Sequence, residues 1–233
     1  MTGDWSLSLS ESRTACFSKF LPNGLEVQNI LTTPDQVVRN AALQKFAKIT
    51  PQYPGVRSQV PEIVRTGWLK ELSPVLDNAF DSSPAGWDMQ AWFSLVTTAP
   101  QALAPMQRFP HVDGTDPRQI AMMLYLHETD HGGTGLFRHR SSGLTSLTDE
   151  TFPQYRAALE SDVRKSGIPP AAYVTDGEPL FERLYASEGA FNTAIFYRGN
   201  ILHSGLISPS ASLSADPSKG RLTINAFFRP KSA

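Results

Sequence analysis

Near residue 88 the hydrophobic pattern of this chain stops being helical, and that change restricts the fold more than any other feature. MQAWFSLVTT (Met89–Thr98), IAMMLYLH (Ile120–His127), TGLFRHR (Thr134–Arg140), LFERLYAS (Leu180–Ser187), NTAIFYR (Asn192–Arg198) and LTINAFFR (Leu222–Arg229) are short, rich in β-branched and aromatic residues, and bounded by Gly, Asp or Pro. Those are strand signals. One helix is expected among them, DETFPQYRAALESDVRKSG, ending at Gly167, where glycine can adopt the left-handed cap. Upstream, Thr33-Pro34-Asp35 ahead of QVVRNAALQKFA reads as a capped helix. From Pro61 to Phe80 the apolar residues Ile63, Trp68, Leu69, Leu72 and Leu76 have helical spacing, with a break or kink expected at Pro74. Residues 51–61 read as a proline-rich loop and 81–86 as a turn cluster. Helices followed by strands with one helical insertion describe a mainly β (α+β) protein, a sandwich or jelly roll with helices on one face.

A chain of 233 residues is long enough for one sizeable core and too short to require two. The expected organisation is one domain: a polar tail or edge strand over 1–20, a helical support region over 21–104 and the jelly-roll core over 105–230. The 18 prolines and 16 glycines are scattered along the chain, which suits many turns better than long helices. A net charge of −1 gives no attraction to nucleic acid or to an anionic membrane. The apolar run Ile120–Leu126 falls far short of the roughly 20 residues a spanning helix needs. Cys16 is the single cysteine and the first residues lack a secretory pattern, so a structural thiol in a reducing, cytoplasmic setting is the expectation.

The chemistry concentrates in four residues. His111 and Asp113, in FPHVDG, are two apart, so an extended backbone aims both side chains the same way. His203, in GNILHSG, follows the apolar Ile201 and Leu202 and is expected to face an enclosed space. Two neutral imidazoles and a carboxylate form the 2-His-1-carboxylate ligand set that suits non-haem Fe(II) and leaves three coordination positions open. Arg221 opens GRLTINAFF; Thr223 and Asn225 continue its face of the strand. A guanidinium beside a hydroxyl suits a carboxylate held through both oxygens. Each motif alone is weak, and its order along the chain strengthens it. HETDH (His127–His131) fits the zinc-protease pattern literally. That pattern needs a helix, whereas the preceding segment is strand-like, so a charged turn is expected there. His139 with its flanking arginines reads either as a contact for an anionic substrate or as a solvated strand end, and Trp87 and Trp92 are expected in the core or along a pocket.

On these motifs the sequence resembles the Fe(II)/2-oxoglutarate-dependent dioxygenases, especially their prolyl-4-hydroxylase-like branch. LYLHETDHGGTGLFRHR resembles a strand-turn-strand of that branch, NTAIFYRGNILHSG the segment carrying the distal histidine, and GRLTINAFFRP the last core strand. The likeness covers roughly residues 105–230. TPDQVVRNAALQ and YPGVRS resemble an uncharacterised bacterial family within the superfamily. The resemblance implies a double-stranded β-helix with iron ligands His111, Asp113 and His203. It implies Arg221 as the anchor of 2-oxoglutarate, Thr223 and Tyr125 as hydrogen-bonding partners, and O₂ as co-reactant. Prolyl hydroxylases often carry Lys at the anchor, so prolyl hydroxylation itself is not implied. Asp113 fills the site a halide would need in related halogenases, which favours hydroxylation of a small molecule, amino acid or peptide side chain. A cupin-like oxygenase independent of 2-oxoglutarate and an inactive jelly-roll binding protein are the alternatives. Loops 139–150 and 208–220 are expected to rim the mouth, with a lid role left open.

Overall fold

The computed structural model describes residues 5–9, 12–15, 24–80, 83, 85–127, 131–175 and 179–231. Its frame is a seven-stranded sheet of order β1-β2-β8-β5-β10-β4-β3 and a three-stranded sheet of order β7-β6-β9. The strands of the larger sheet are β1 (Ser12–Ala15), β2 (Gly24–Val27), β3 (Gly55–Gln59), β4 (Trp87–Val96), β5 (Ile120–Tyr125), β8 (Thr193–Arg198) and β10 (Leu222–Pro230). The smaller sheet holds β6 (Thr134–His139), β7 (Phe181–Ala186) and β9 (His203–Gly205). All the pairings are antiparallel. This is the jelly roll expected from the strand pattern.

Both faces of the larger sheet are covered, and the strands divide their side chains accordingly. Leu222, Ile224, Ala226 and Phe228 of β10, with Ile120, Met122 and Leu124 of β5, join the cluster that also contains Val64, Trp68, Leu72, Leu76 and Phe80. Those five lie on α2 (Glu62–Phe80), so the helix supports the outer face. Ala121 and Tyr125 of β5, Ile195 and Tyr197 of β8 and Phe227 of β10 meet Leu136 and Ile201 between the sheets. The strict alternation therefore points Arg221, Thr223 and Asn225 inward as a set. α3 (Phe152–Ser166) packs through Tyr155 beside Phe137 and Phe181. Gly167 closes it at φ 80°, as its sequence predicts.

Several local expectations change. α2 runs through Pro74 without ending. Its inward face uses Val64, while Ile63 is 81% exposed, because tertiary packing selects one stripe from an ambiguous apolar run. α1 (Pro34–Ala42) stops before Gln44-Lys45-Phe46-Ala47, and Thr33 makes no side-chain cap. The expected proline-rich loop contains β3, and the 21–104 region adds β2, β3 and β4 to its two α-helices. Of the polar N-terminal stretch, β1 forms a sheet edge, and the Trp5 carbonyl accepts a 2.7 Å bond from Trp68 Nε1. Cys16 lies outside the described residues. No helix among those described is long and apolar enough to cross a membrane.

Candidate metal centre

A cavity of about 540 Å³ opens between the two sheets. His111, Asp113 and His203 lie on its wall, and one ligand atom from each falls within 4.8 Å of the others. An antiparallel bridge joins the two histidines: His111 N donates to His203 O and His203 N to His111 O, both at 2.8 Å. Paired residues of such a bridge project to one face, and the imidazole centroids are 4.5 Å apart. Two residues on, Asp113 N donates to Gly199 O at 2.8 Å, so its carboxylate returns to the same side. Asp113 Oδ2 stands 3.4 Å from His203 Nε2.

The electrostatics suit a cation. His203 Nδ1 is 2.8 Å from the Ile201 carbonyl, which fixes Nδ1 as the donor and turns Nε2 to the cluster. Burial alone would lower the His203 pKa, but the adjacent Asp113 carboxylate raises it. His111 is open to the cavity yet ringed by protein. That surrounding and the neighbouring His203 push it down to about 4, so it stays a neutral ligand. Burial works against the Asp113 charge, but His203, His111 and Arg57 together hold its pKa below the usual value. Asp113 Oδ2 is buried with no hydrogen-bond partner. An unsatisfied carboxylate oxygen beside two imidazoles is what a divalent cation would complete.

Arg221 lines the same cavity and is 2% exposed. Its Nε donates to Gly132 O at 3.1 Å and Nη2 to Gly133 O at 2.9 Å. Gly133 itself packs where no side chain fits: a Cβ there would lie 2.1 Å from the Ser187 carbonyl oxygen. Burial lowers the Arg221 pKa, and the groups that oppose this are the phenols Tyr125, Tyr53 and Tyr173. Among the described residues no carboxylate pairs with it, which leaves a buried cation suited to an incoming anion.

Tyr125 and Thr223 lie adjacent across the β5–β10 pair, behind the cavity wall. The Tyr125 hydroxyl is 2.8 Å from Thr134 Oγ1 and 2.7 Å from Ser187 Oγ. Thr223 Oγ1 donates to Asn225 Oδ1 at 2.8 Å, and Thr134 and Asn225 line the cavity. Arg57, Tyr53, Tyr173 and Tyr197 also line it and were missed in the sequence. YPGVRS contains two of them, but flanking prolines disguise its strand as a loop.

Other expectations end differently. Loops 139–150 and 208–220 contribute no residue to the lining. The rim uses Thr50, Gln52 and Pro54 together with Met106 and Gln107. His139 is fully buried rather than solvated, and Arg138 pairs with Glu182. Trp87 is in the core. The turn expected at His127–His131 falls on residues 128–130, outside those described, and the two histidine rings stack at 5.1 Å.

Comparison with solved structures gives the fold its class. HygX from Streptomyces hygroscopicus with nickel and 2-oxoglutarate bound is similar over 89% of this chain and 83% of its own, at 9% identity and TM-score 0.53. The epimerase SnoN of nogalamycin biosynthesis, in complex with Fe3+, alpha ketoglutarate and nogalamycin RO, is similar over 88% and 78%, at 12% identity and TM-score 0.50. A prolyl-4-hydroxylase of Pseudomonas putida is similar over 90% and 93%, at 14% identity and TM-score 0.48. The fold is that of the Fe(II)/2-oxoglutarate-dependent oxygenases, as the sequence resemblance implied. The chain belongs to the Family of unknown function (DUF6445), whose model matches residues 24–228. No curated protein matches it.

Proposed function

We propose that this protein is an Fe(II)/2-oxoglutarate-dependent oxygenase, folded as one domain, that hydroxylates a small molecule, an amino acid or a peptide side chain. One convergence carries the reading: the ligand atoms of His111, Asp113 and His203 lie within 4.8 Å of one another on the wall of a cavity that also presents Arg221. The first three would hold the iron. Bound there, the metal supplies O₂ activation coupled to decarboxylation of 2-oxoglutarate to succinate.

The protein's own part is positioning. The Ile201 carbonyl holds the His203 ring so that Nε2 faces the cluster. His111, with its depressed pKa, offers an unprotonated nitrogen at neutral pH. Asp113 adds one negative charge to an otherwise neutral ligand set. Arg221, steadied by two backbone carbonyls, receives the distal carboxylate of 2-oxoglutarate through its remaining donors. Tyr125 acts behind it by holding Thr134, and Thr223 does so by holding Asn225. Met123, Tyr197 and Phe227 give the cavity apolar walls, which limit water around the reacting groups.

The test is succinate formation with Fe(II), 2-oxoglutarate and O₂, screened over amino acids, peptides and cell extracts. Wild type is expected to release succinate and His111→Ala to release none while folding normally. Equal turnover by that variant ends the reading. Substrate oxidation without succinate points instead to an oxygenase that does not use 2-oxoglutarate.

A further inference from the structure

The cavity holds a second guanidinium that the proposed chemistry does not use. Arg57 sits on β3, the last strand of the larger sheet beside β4, where an antiparallel bridge to Ala47 covers its outer side. Its guanidinium carbon is 3.9 Å from the centre of the Tyr53 ring and 6.0 Å from that of Trp92. Both contacts hold the side chain through cation–π attraction. They leave Arg57 Nε, which is buried, with no hydrogen-bond partner. Among the described residues no carboxylate lies within ion-pair distance of it. Its charge reaches the metal cluster, where it acts on both Asp113 and His111.

A partly buried guanidinium whose buried Nε–H is unmet is unfavourable unless something completes it. Asp113 is committed to the cluster. The 2-oxoglutarate carboxylate has Arg221, and no lysine or third arginine lines the cavity. One site for a single negative charge therefore remains beside the metal position. The cavity it opens into is also lined by Met106, Val112, Tyr173, Ile207 and Phe227, which suit an organic remainder. A planar monoanion matches the guanidinium fork through two parallel bonds, whereas a phosphate dianion would leave one charge unbalanced.

We propose that Arg57 determines substrate specificity: the substrate is a small carboxylic acid whose carboxylate pairs with Arg57 while its apolar part lies toward the His111–Asp113–His203 cluster. This assignment rests on the oxygenase reading above, with Arg221 reserved for the cosubstrate. Arg57 and Arg221 then divide two carboxylates between them in one cavity.

The experiment uses the full chain loaded with Mn(II) and saturating 2-oxoglutarate, without O₂. N-acetyl amino acids and simple acids such as phenylacetate and butyrate are titrated by calorimetry against their primary amides, which match them in shape and lack the charge. At least one acid is expected to bind wild type about tenfold more tightly than its amide, the size of one charge-assisted contact. Arg57→Gln should abolish that preference, and Arg57→Lys should keep part of it. Both variants should retain wild-type melting temperature and 2-oxoglutarate affinity. Arg221→Gln should do the reverse, weakening 2-oxoglutarate and keeping the acid preference. The assignment is overturned if no acid outbinds its amide in wild type, or if the preference survives Arg57→Gln. It is also overturned if Arg57→Gln abolishes 2-oxoglutarate binding, which would make Arg57 the cosubstrate anchor. A wild type that prefers acids through Arg57 yet binds neither Mn(II) nor 2-oxoglutarate would instead refute the oxygenase reading and leave the anion site standing.

Discussion

Two histidines of the smaller sheet are each buried beside an aspartate, and their environments send them in opposite directions. His203 Nε2 lies 3.4 Å from Asp113 Oδ2, and His139 Nε2 lies 3.3 Å from Asp162 Oδ2. His203 is raised in pKa and His139 lowered. The second pair has no further ligand. His139 Nδ1 is 2.9 Å from Ser142 Oγ, its ring packs on Tyr155 and Phe181, and Ser141 also donates to Asp162. That arrangement clamps α3 onto β6. Around His203 a second imidazole, an orphaned carboxylate oxygen and an open cavity are added. A buried His–Asp pair is therefore a fastening by default. In the proposed function, the third ligand and the room beside it are what would turn such a pair into a metal centre.

The sharpest way to break this distinction is to remove each aspartate. Asp113→Ala is expected to weaken Fe(II) or Mn(II) binding by at least about a hundredfold and to eliminate succinate formation, with circular dichroism unchanged. Asp162→Ala should leave metal affinity within a few-fold of wild type. Equal metal loss in both, measured by anaerobic titration, would erase the contrast. Next in size, His139→Ala should cost about 2 kcal/mol or more in urea unfolding, since it empties a packed site. His203→Ala should cost the metal-free protein less, because its ring faces a cavity rather than a filled core. A metal-free His203→Ala protein less stable than His139→Ala would reverse the assignment.

The same contrast explains what the sequence could and could not tell. His111-x-Asp113, His203 and Arg221 were legible because each sits on a short extended segment whose period of two fixes the side it faces. Only the pairing of those segments had to be supplied, and the His111–His203 bridge supplies it. Arg57 was not legible. Its strand is five residues between prolines, and its inward direction is set by pairing with β4, which no local pattern encodes. His139 failed for a similar reason. Flanked by two arginines it reads as surface, yet α3, which begins thirteen residues downstream at Phe152, covers it through Tyr155. Pro74 failed in the other direction: packing along α2 against the sheet outweighs one missing hydrogen bond.

The smallest expected effects are the pH dependences, and the two histidines should differ in which property responds. Because burial lowers His139 from its ordinary value of 6.5, the unfolded chain binds a proton there that the folded chain does not. Its contribution to stability is full above about pH 6.5 and declines as pH falls below it. Urea midpoints measured from pH 8 to 5 should fall on the acid side, and His139→Gln should flatten that fall. His203 carries the opposite sign. Its folded pKa is raised by Asp113, so in the metal-free protein its contribution is full below about pH 6.5 and disappears as pH rises through the folded value. Metal binding must displace that same proton, so Mn(II) affinity should drop as pH falls below the raised His203 pKa, by about tenfold per pH unit once the site is mostly protonated. His139→Gln should leave that slope untouched. A metal affinity that is flat from pH 8 to 6 would mean that the proton on His203 and the cation do not compete for Nε2, and the ligand set would have to be drawn without it.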